Sequence, residues 1–359
     1  MALLKRVSLP HVPGIGTLPA VKISSMDVAR AAGVSPATVS LVMNGRTNIV
    51  LAESTRTRVR EAAERLGYRP NQVARNLVAG RTRTLGLLLP SLASSFVARI
   101  ADGVQREAGD QDQRVLLAHS RRDPVFEQRQ IELLLQHQVE GLVVVASEET
   151  LPFLEKRLEV LEQARIPCIV IDDLTHADRV DCVATDDRQG AELAVAHLIA
   201  AGHRRIAHLG AGNQTSSARD RLAGYRAALR RARIPFSTDL VLGNSYQSAP
   251  PREAVRRWLG QRNPPTAVFA ANDRHLAECL PLLNELQVRV PTDLALVGYA
   301  NYDFATYLDL TSVDQDPAAL GRAATRRLLE RIVSPRLKPA RIQLPARLVV
   351  RGSSGKVVA

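Results

Sequence analysis

Aromatic residues and cysteine are scarce in this chain of 359 residues. Six Phe, six Tyr and one Trp make up 4% of the sequence, which argues against a surface that stacks the bases of single-stranded nucleic acid. The three cysteines, Cys168, Cys182 and Cys279, are far apart and odd in number. They match neither a disulfide framework nor a zinc-ligand spacing, so we expect no metal, no cofactor and a reducing, cytoplasmic location.

Long hydrophobic runs are also missing. No apolar run approaches the roughly 18 residues that a membrane-spanning helix needs, so no membrane partner is expected. Residues 1–21 include Lys5 and Arg6, but prolines and glycines interrupt the apolar stretch that a signal peptide would require. We interpret 1–21 as a disordered amino-terminal extension, or as the product of a start codon placed too far upstream.

Positive charge is concentrated in the first quarter of the chain. Residues 1–84 hold 13 Lys and Arg against 4 Asp and Glu, a net charge of +9. The other 275 residues hold 35 against 32, a net charge of +3. This distribution predicts a small module that binds a polyanion, attached to a nearly neutral body large enough for further domains.

Two short helices joined by a tight turn are predicted between Met26 and Asn44. The first helix has an inward apolar stripe and ends at Gly33, which can adopt positive φ, while Ser35 caps the second helix ahead of Pro36. The second helix turns three apolar residues inward and six residues outward: Val39, Val42 and Met43, against Pro36, Ala37, Thr38, Ser40, Leu41 and Asn44. This layout is typical of a helix-turn-helix that enters a DNA major groove, although a helical hairpin within a larger core has the same pattern.

A third helix is predicted over 53–66, with Val59 and Ala62 on its inner face and Gly67 as its end. Residues 71–80 follow, where Asn71 can cap a helix that is too short to be stable alone. The basic linker 81–84 comes next. We expect this whole connection to order only when it docks.

From Leu85 onward, short apolar runs alternate with amphipathic helices. The predicted strands are Leu85–Leu89, Val115–Ala118, Leu142–Ala146, Cys168–Ile171, Ile206–Leu209, Ala267–Ala270 and Leu294–Val297, with a last strand over Ala346–Arg351. This alternation predicts an α/β fold whose parallel sheets are covered by helices on both faces. A body of this length favours two such subdomains with a cleft between them.

Other classes of protein fit the sequence less well. A secreted binding protein would need a signal peptide and would not carry a basic helix-turn-helix. A nucleotide-dependent enzyme would need a phosphate-cradling loop, but the only Gly-x-Gly after a predicted strand, Gly210-Ala-Gly212, has Thr215 where a third glycine is required. G-x-S-x-G and H-E-x-x-H are absent, which argues against a hydrolase. A structural chromatin protein would be smaller and more uniformly basic, so we expect a non-enzymatic regulator.

Short motifs then occur in a specific order along the chain. They are Asp27-Val-Ala-Arg-Ala-Ala-Gly-Val-Ser35, Thr38-Val-Ser40, Asn44-Gly45, Gly67-Tyr-Arg-Pro-Asn71, Ala74-Arg75, Leu77, Gly86-Leu-Leu-Leu-Pro90, Gly190-Ala191, His197-Leu198, Gly202-His-Arg-Arg-Ile206, Arg221-Leu-Ala-Gly-Tyr225, Asn272-Asp273 and Arg351-Gly-Ser353. Each is weak alone, but their order and spacing are specific. From about Lys22 to Ser354 the chain resembles the LacI/GalR family of bacterial transcriptional regulators.

The resemblance implies a domain plan. Residues 22–69 would be a helix-turn-helix headpiece, 70–84 a hinge helix and linker, 85–354 a core like a type I periplasmic binding protein, and 355–359 a tail. The core would form a homodimer and place two headpieces on a pseudopalindromic operator in double-stranded DNA. A sugar, a sugar derivative or a small acid bound in the cleft would control operator affinity, and both release and recruitment occur among relatives.

The resemblance also implies DNA contacts. Base-reading positions hold Pro36, Ala37 and Leu41, and leucine cannot make the bidentate contact that arginine makes with guanine, so direct readout is expected to be thin. The alternative for Leu41 is inward packing. Leu77 would wedge between base pairs in the minor groove, the alternative being an ordinary linker hydrophobe. Further DNA contacts are predicted at Ser24, Ser35, Thr38, Ser40, Asn44, Asn71, Ala74 and Arg75.

Family position likewise implies an effector site. Its predicted residues are Ser91, Phe96, Asp172, Arg221, Tyr246, Asn272, Asp273 and Asn301. Asp172 and Asn272 follow predicted strands, and ligands bind at the carboxyl ends of parallel strands. Taken singly, Asp172 could instead be a strand-end cap and Arg221 a surface cation.

Ala300 departs from the family pattern, because sugar-binding relatives usually have Asp at this position. Without that acceptor, a ligand hydroxyl would be left unpaired. Two outcomes follow from the resemblance. The effector is an anion held by Arg221, or Asn301 or Asp303 supplies the missing acceptor.

Overall fold

The structure of the protein is a computed structural model that describes residues 23–43, 51–68, 81–211, 215–244 and 252–355. The chain divides into two compact units, the first ending at Arg81 and the second beginning at Thr82. Among the described residues, no helix is both long and apolar enough to cross a bilayer.

The first unit contains three described helices: α1 (Ser25–Ala32), α2 (Pro36–Met43) and α3 (Glu53–Leu66). Ser24 begins α1 through a capping box, in which its hydroxyl accepts from the backbone of Asp27 and the Asp27 carboxylate accepts from the backbone of Ser24. Gly33 and Gly67 end α1 and α3 with φ of 63° and 65°. The two glycine ends confirm the helix ends expected from the sequence.

The core of this unit is small and aliphatic. It consists of Val28, Ala29, Ala32, Val39, Val42, Val59, Ala62 and Ala63. Met43 and Leu66 pack against it while remaining half-exposed. The inward stripes predicted from helical periodicity are therefore confirmed, because residues three and four apart share one face of a helix.

The second unit contains two six-stranded sheets, each forming one subdomain. The first has the order β11-β5-β4-β3-β1-β2, and all its pairings are parallel. Its strands are β1 (Thr84–Leu89), β2 (Arg114–His119), β3 (Gly141–Val145), β4 (Cys168–Ile171), β5 (Asp181–Thr185) and β11 (Arg341–Leu344). Helices α4 (Ser95–Asp110) and α12 (Pro317–Val333) pack on one face, and α5 (Pro124–Gln136) and α6 (Leu154–Gln163) on the other.

The second sheet has the order β12-β10-β9-β8-β6-β7, with β12 antiparallel to β10. Its strands are β6 (Ile206–Ala211), β7 (Val241–Asn244), β8 (Ala267–Ala270), β9 (Ala295–Tyr299), β10 (Thr311–Asp314) and β12 (Arg347–Val349). Helices α7 (Asp187–Ala200) and α8 (Ser216–Arg231) cover one face, and α9 (Arg252–Leu259) and α10 (Asp273–Glu285) the other. A short helix, α11 (Asp303–Tyr307), follows β9.

The chain passes between the two subdomains three times, after β5, after β10 and between β11 and β12. All the predicted strands are present, with ends that differ by one or two residues in most cases. Four further strands, β5, β7, β10 and β11, were not predicted. β10 is polar at Thr311 and Ser312 although both are fully buried, and β11 exposes Arg341 and Gln343, so neither shows an apolar run.

Candidate functional site

The exposed face of α2 is the candidate DNA-reading surface. The Ser35 hydroxyl accepts a hydrogen bond from the backbone of Thr38 at 3.1 Å, which caps α2 as expected. Ser35, Pro36, Ala37 and Ser40 are exposed, while Thr38 and Leu41 are half-buried. Unlike Val39 and Val42, Leu41 does not belong to the apolar cluster of the three described helices. This position favours an outward Leu41 over the inward-packing alternative.

Ser24 has a structural task at the start of α1. Its hydroxyl donates to Asp27 Oδ2 at 2.7 Å and also accepts from the Asp27 backbone. The hydrogen bonds from Ser24 lower the pKa of Asp27. Other predicted DNA contacts lie outside the described residues: Asn44, Asn71, Ala74, Arg75 and Leu77.

A cavity of about 750 Å³ lies between the two subdomains of the second unit, at the carboxyl ends of both sheets. Five of the predicted effector residues line it: Ser91, Phe96, Asp172, Arg221 and Asn272. Other polar side chains from both subdomains complete the lining: Ser94, Ser95, Arg122, Ser147, Glu148, Thr215, Ser217, Arg274, Asp303 and Gln315. Tyr246 lies outside the described residues.

Asp172 directly follows β4 and has a left-handed backbone with φ of 70°. Its Oδ1 atom is buried and has no hydrogen-bond partner among the described residues, while Gln315 hydrogen-bonds to the carboxylate. Burial, and then the nearby charge of Asp187, raise the pKa of Asp172 to about 7, although the charge of Arg221 opposes this. The carboxylate therefore has an acceptor atom that a ligand donor could satisfy.

Arg221 lies on the second turn of α8, not at its start, and it is 3% exposed. Its Nε and Nη2 each approach Asp187 Oδ1 at 2.8 Å, and its Nη1 donates to the carbonyl of Ala271 at 2.7 Å. The guanidinium also lies 3.9 Å from the centroid of the Tyr299 ring. Arg221 is thus a buried, paired cation, which rules out the surface-cation alternative. Burial raises the pKa of Asp187, against the lowering effect of Arg221.

Asp273 and Asn301 are placed outside the lining of the cleft, in contrast to the prediction. Asp273 is fully buried, where its Oδ1 accepts from the Ser312 hydroxyl at 2.7 Å and its Oδ2 from the backbone of Tyr302 at 3.0 Å. Burial raises the pKa of Asp273 to about 7. Asn301 points its Oδ1 at Arg351, which donates at 2.8 Å. The Asp273 side chain therefore connects β10 to the loop after β9, and the Asn301 side chain connects that loop to the segment after β12.

Ala300 lines the cleft and is 3% exposed, with φ of 91°. Its methyl group belongs to the apolar core of the first subdomain although Ala300 itself follows β9 of the second. Next to it, Tyr302 and Phe304 also line the cleft. We did not predict these aromatics or Asp187. The closely spaced aromatics at 302, 304 and 307, in a chain with few, were the available signal.

No group of three His, Cys, Asp or Glu residues is arranged to hold a metal ion in the ranges that the structure describes. All three cysteines are buried as free thiols. Burial raises the pKa of Cys182 and of Cys279 to about 12 in each case, so neither thiol ionises readily.

Family models match both the helix-turn-helix and part of the second unit. A family model described as bacterial regulatory proteins, lacI family, matches residues 26–71, and a periplasmic binding protein-like domain matches residues 195–354. The HTH-type transcriptional repressor PurR of Klebsiella pneumoniae (strain 342) is 34% identical over 331 residues, covering 91% of this chain and 95% of the relative.

Two solved structures show a similar architecture. The lac repressor dimer bound to operator and the anti-inducer ONPF has a TM-score of 0.78 at 27% identity, covering 93% of this chain and 99% of that chain. The transcriptional regulator CelR in complex with cellobiose has a TM-score of 0.68 at 30% identity, covering 92% and 100%. The chain belongs to the lacI family of bacterial regulatory proteins and is a DNA-binding transcriptional regulator, not an enzyme.

Proposed function

We propose that this protein represses transcription as a homodimer on a pseudopalindromic operator and that a small molecule bound in its interdomain cleft sets operator affinity. The observation that carries the proposal is that one chain contains both a helix-turn-helix and a cavity of about 750 Å³ that two subdomains line. A cavity of this size is in the range of small-molecule sites. Because its target is chromosomal DNA, we place the protein in the cytoplasm, at the nucleoid.

The DNA-facing residues proposed on α2 are Ser35, Pro36, Ala37, Ser40 and Leu41. The first four are exposed, and the half-buried Leu41 lies outside the apolar cluster. Hydroxyl groups suit phosphate contacts, whereas Pro36, Ala37 and Leu41 suit thymine methyl groups. The family resemblance adds Asn44, Asn71, Ala74, Arg75 and the minor-groove wedge Leu77 to this interface.

The effector-facing residues proposed in the cleft are Ser91, Phe96, Asp172, Arg221 and Asn272. The relatives support a ligand here, since CelR was solved with cellobiose and the lac repressor with ONPF. Tyr246 stays part of the proposal on family position alone.

Genome-wide footprinting with the full-length protein tests this function. We expect pseudopalindromic footprints that disappear in Ala37→Glu, because a carboxylate on the exposed face of α2 would meet DNA phosphates. Ala31→Glu makes the same change at an exposed position of α1 and is the matched control. Specific footprints that survive Ala37→Glu, or the lack of any specific footprint, would overturn the proposal.

A further inference from the structure

The lining of the cleft is charge-balanced although the chain as a whole is strongly basic. The net charge of the protein is +12, but the charged residues that line the cleft are three of each sign: Arg122, Arg221 and Arg274 against Glu148, Asp172 and Asp303. Two more carboxylates are buried beside them, Asp173 next to Asp172 and Asp187 on Arg221. These last two are buried and do not line the cleft, so the lining itself carries equal numbers of cations and carboxylates.

Each cation of the cleft already has a carboxylate partner. Arg221 pairs with Asp187 at 2.8 Å, Arg122 lies 3.4 Å from Glu149, and Arg274 lies 2.7 Å from Glu278. Asp172, by contrast, keeps a buried Oδ1 with no hydrogen-bond partner among the described residues. A buried carboxylate is stable as an ion only when a partner compensates its charge.

An aromatic wall stands on the same side of the cleft as Ala300. The rings of Phe96 and Tyr302 have centroids 6.4 Å apart, and those of Tyr302 and Phe304 stack at 5.3 Å with an interplanar angle of 5°. Aromatic faces attract ammonium and guanidinium groups, most strongly in desolvated sites. Ala300 presents a methyl group here in place of a carboxylate, which leaves Asp303 as the carboxylate on this wall of the cleft.

We propose that the effector carries a positive charge, in the form of a protonated amine or a guanidine that donates to Asp172 beside the rings of Phe96 and Tyr302. The inference rests on the proposed function, since it names the class of molecule that the cleft accepts. An anionic effector, the possibility that the sequence left open, would meet three lining carboxylates and an Arg221 that Asp187 has already compensated. A cationic ligand would instead supply the missing partner of Asp172.

Asp172→Asn is the informative variant. It removes the charge with almost no change of shape, and asparagine is one of the few residues that adopt positive φ readily, so the strand end at φ of 70° is retained. Asp102→Asn is the matched control, because Asp102 is an exposed carboxylate of α4 whose partner is Arg106 on the same helix.

The experiment separates the small molecules of the host bacterium by ion exchange at pH 7 and adds each fraction to the full-length protein on operator DNA. We expect the change in operator affinity to come from the fraction that a cation exchanger retains. Asp172→Asn should need at least about tenfold more of that fraction for the same change in operator affinity, because it loses a hydrogen bond to a charged group. Asp102→Asn should respond like the wild type.

A matched set of pure probes, D-glucosamine, D-glucose and D-glucuronate, is tested in parallel by thermal shift at constant ionic strength. The cation should stabilise the protein most among the three. Activity in the unretained or anion-exchange fraction would overturn the charge of the effector while leaving the proposed function intact. If no fraction changes operator affinity, both the inference and effector control of the repressor are wrong.

Discussion

Asp172 makes the stability of the second unit depend on pH. Burial and the neighbouring carboxylates Asp187 and Asp173 raise its pKa from 3.8 to about 7, while Arg221 and Gln315 act in the opposite direction. Between pH 4 and 7 the folded protein therefore binds more protons at this site than the unfolded chain does. The contribution of this group to the free energy of unfolding must then decrease as pH rises through that window, so the fold loses stability.

Asp172→Asn should remove this part of the pH dependence. At pH 8 we expect the variant to be more stable than the wild type by about 1–2 kcal/mol, a value that allows for screening of the charge by solvent in the cleft. At pH 4 the two proteins should be nearly equal in stability. Urea unfolding at both pH values measures this. Asp293→Asn is the control, since hydrogen bonds from Arg289 lower the pKa of Asp293 to about 2 and its contribution changes only below about pH 4, so its effect should be nearly the same at both measured pH values. A constant difference between wild type and Asp172→Asn across this range would contradict the prediction.

Asp187 compensates a buried guanidinium, so its loss should be costly. Asp187→Ala leaves Arg221, which is 3% exposed, without its closest carboxylate. We expect a loss of about 3–5 kcal/mol in unfolding free energy, because breaking a buried pair strands the remaining charge. Asp293→Ala breaks an exposed pair of the same 2.8 Å length with Arg289 and should cost far less. Equal losses in the two variants would show that burial does not govern these pairs.

At the scale of elements, the loop after β9 is anchored across the cleft to α4. Arg99 Nη2 donates to the carbonyl of Asn301 at 3.0 Å and to that of Ala300 at 3.4 Å. Asn301 has φ of 46°, which asparagine tolerates, whereas φ of 91° costs energy at Ala300. The ring of Tyr302 and the methyl group of Ala300 pack on the core of the first subdomain. The loop therefore fastens the two subdomains together.

Removing this anchor should loosen the loop. Each hydrogen bond contributes about 0.5–1.5 kcal/mol, so Arg99→Ala is expected to raise hydrogen exchange at the amides of Asn301 and Tyr302 by roughly two- to tenfold. Arg106→Ala on the same helix is the control, because Arg106 is exposed and its side chain pairs only with Asp102 within the part of the chain that the structure describes. Unchanged exchange at both amides in Arg99→Ala would mean that apolar packing alone holds the loop.

At the scale of the whole molecule, the uneven charge predicts steep salt dependence of operator binding. Residues 1–84 carry a net charge of +9, and the rest of the chain only +3. If six to ten phosphates are neutralised per dimer, operator affinity should drop roughly 10³–10⁵-fold between 50 and 200 mM salt, because counterions released on binding must compete with added salt. Fluorescence anisotropy on the operator measures it. A nearly flat titration would mean that the basic quarter does not make the DNA contacts.

The sequence by itself determined the features that are local in the chain. Helical spacing identified Val39 and Val42 as core, and Gly33 and Gly67 defined the ends of α1 and α3, because backbone geometry within a few residues decides both. The alternation of apolar runs with helices predicted the α/β core, and the ordered motifs identified the family, which the comparisons confirm. The position of Asp172 at the cleft followed from its place at the end of a strand.

Only the tertiary structure decided which distant residues meet. Asn272 and Asp273 are adjacent in sequence, yet the first lines the cleft while the second is buried against Ser312. Arg221 finds its partner Asp187 on another helix, 34 residues away. Strand β11 joins the first sheet only because the chain returns there after completing most of the second. Such pairings depend on how the three crossings bring the two sheets together, and no pattern within a few residues encodes that placement.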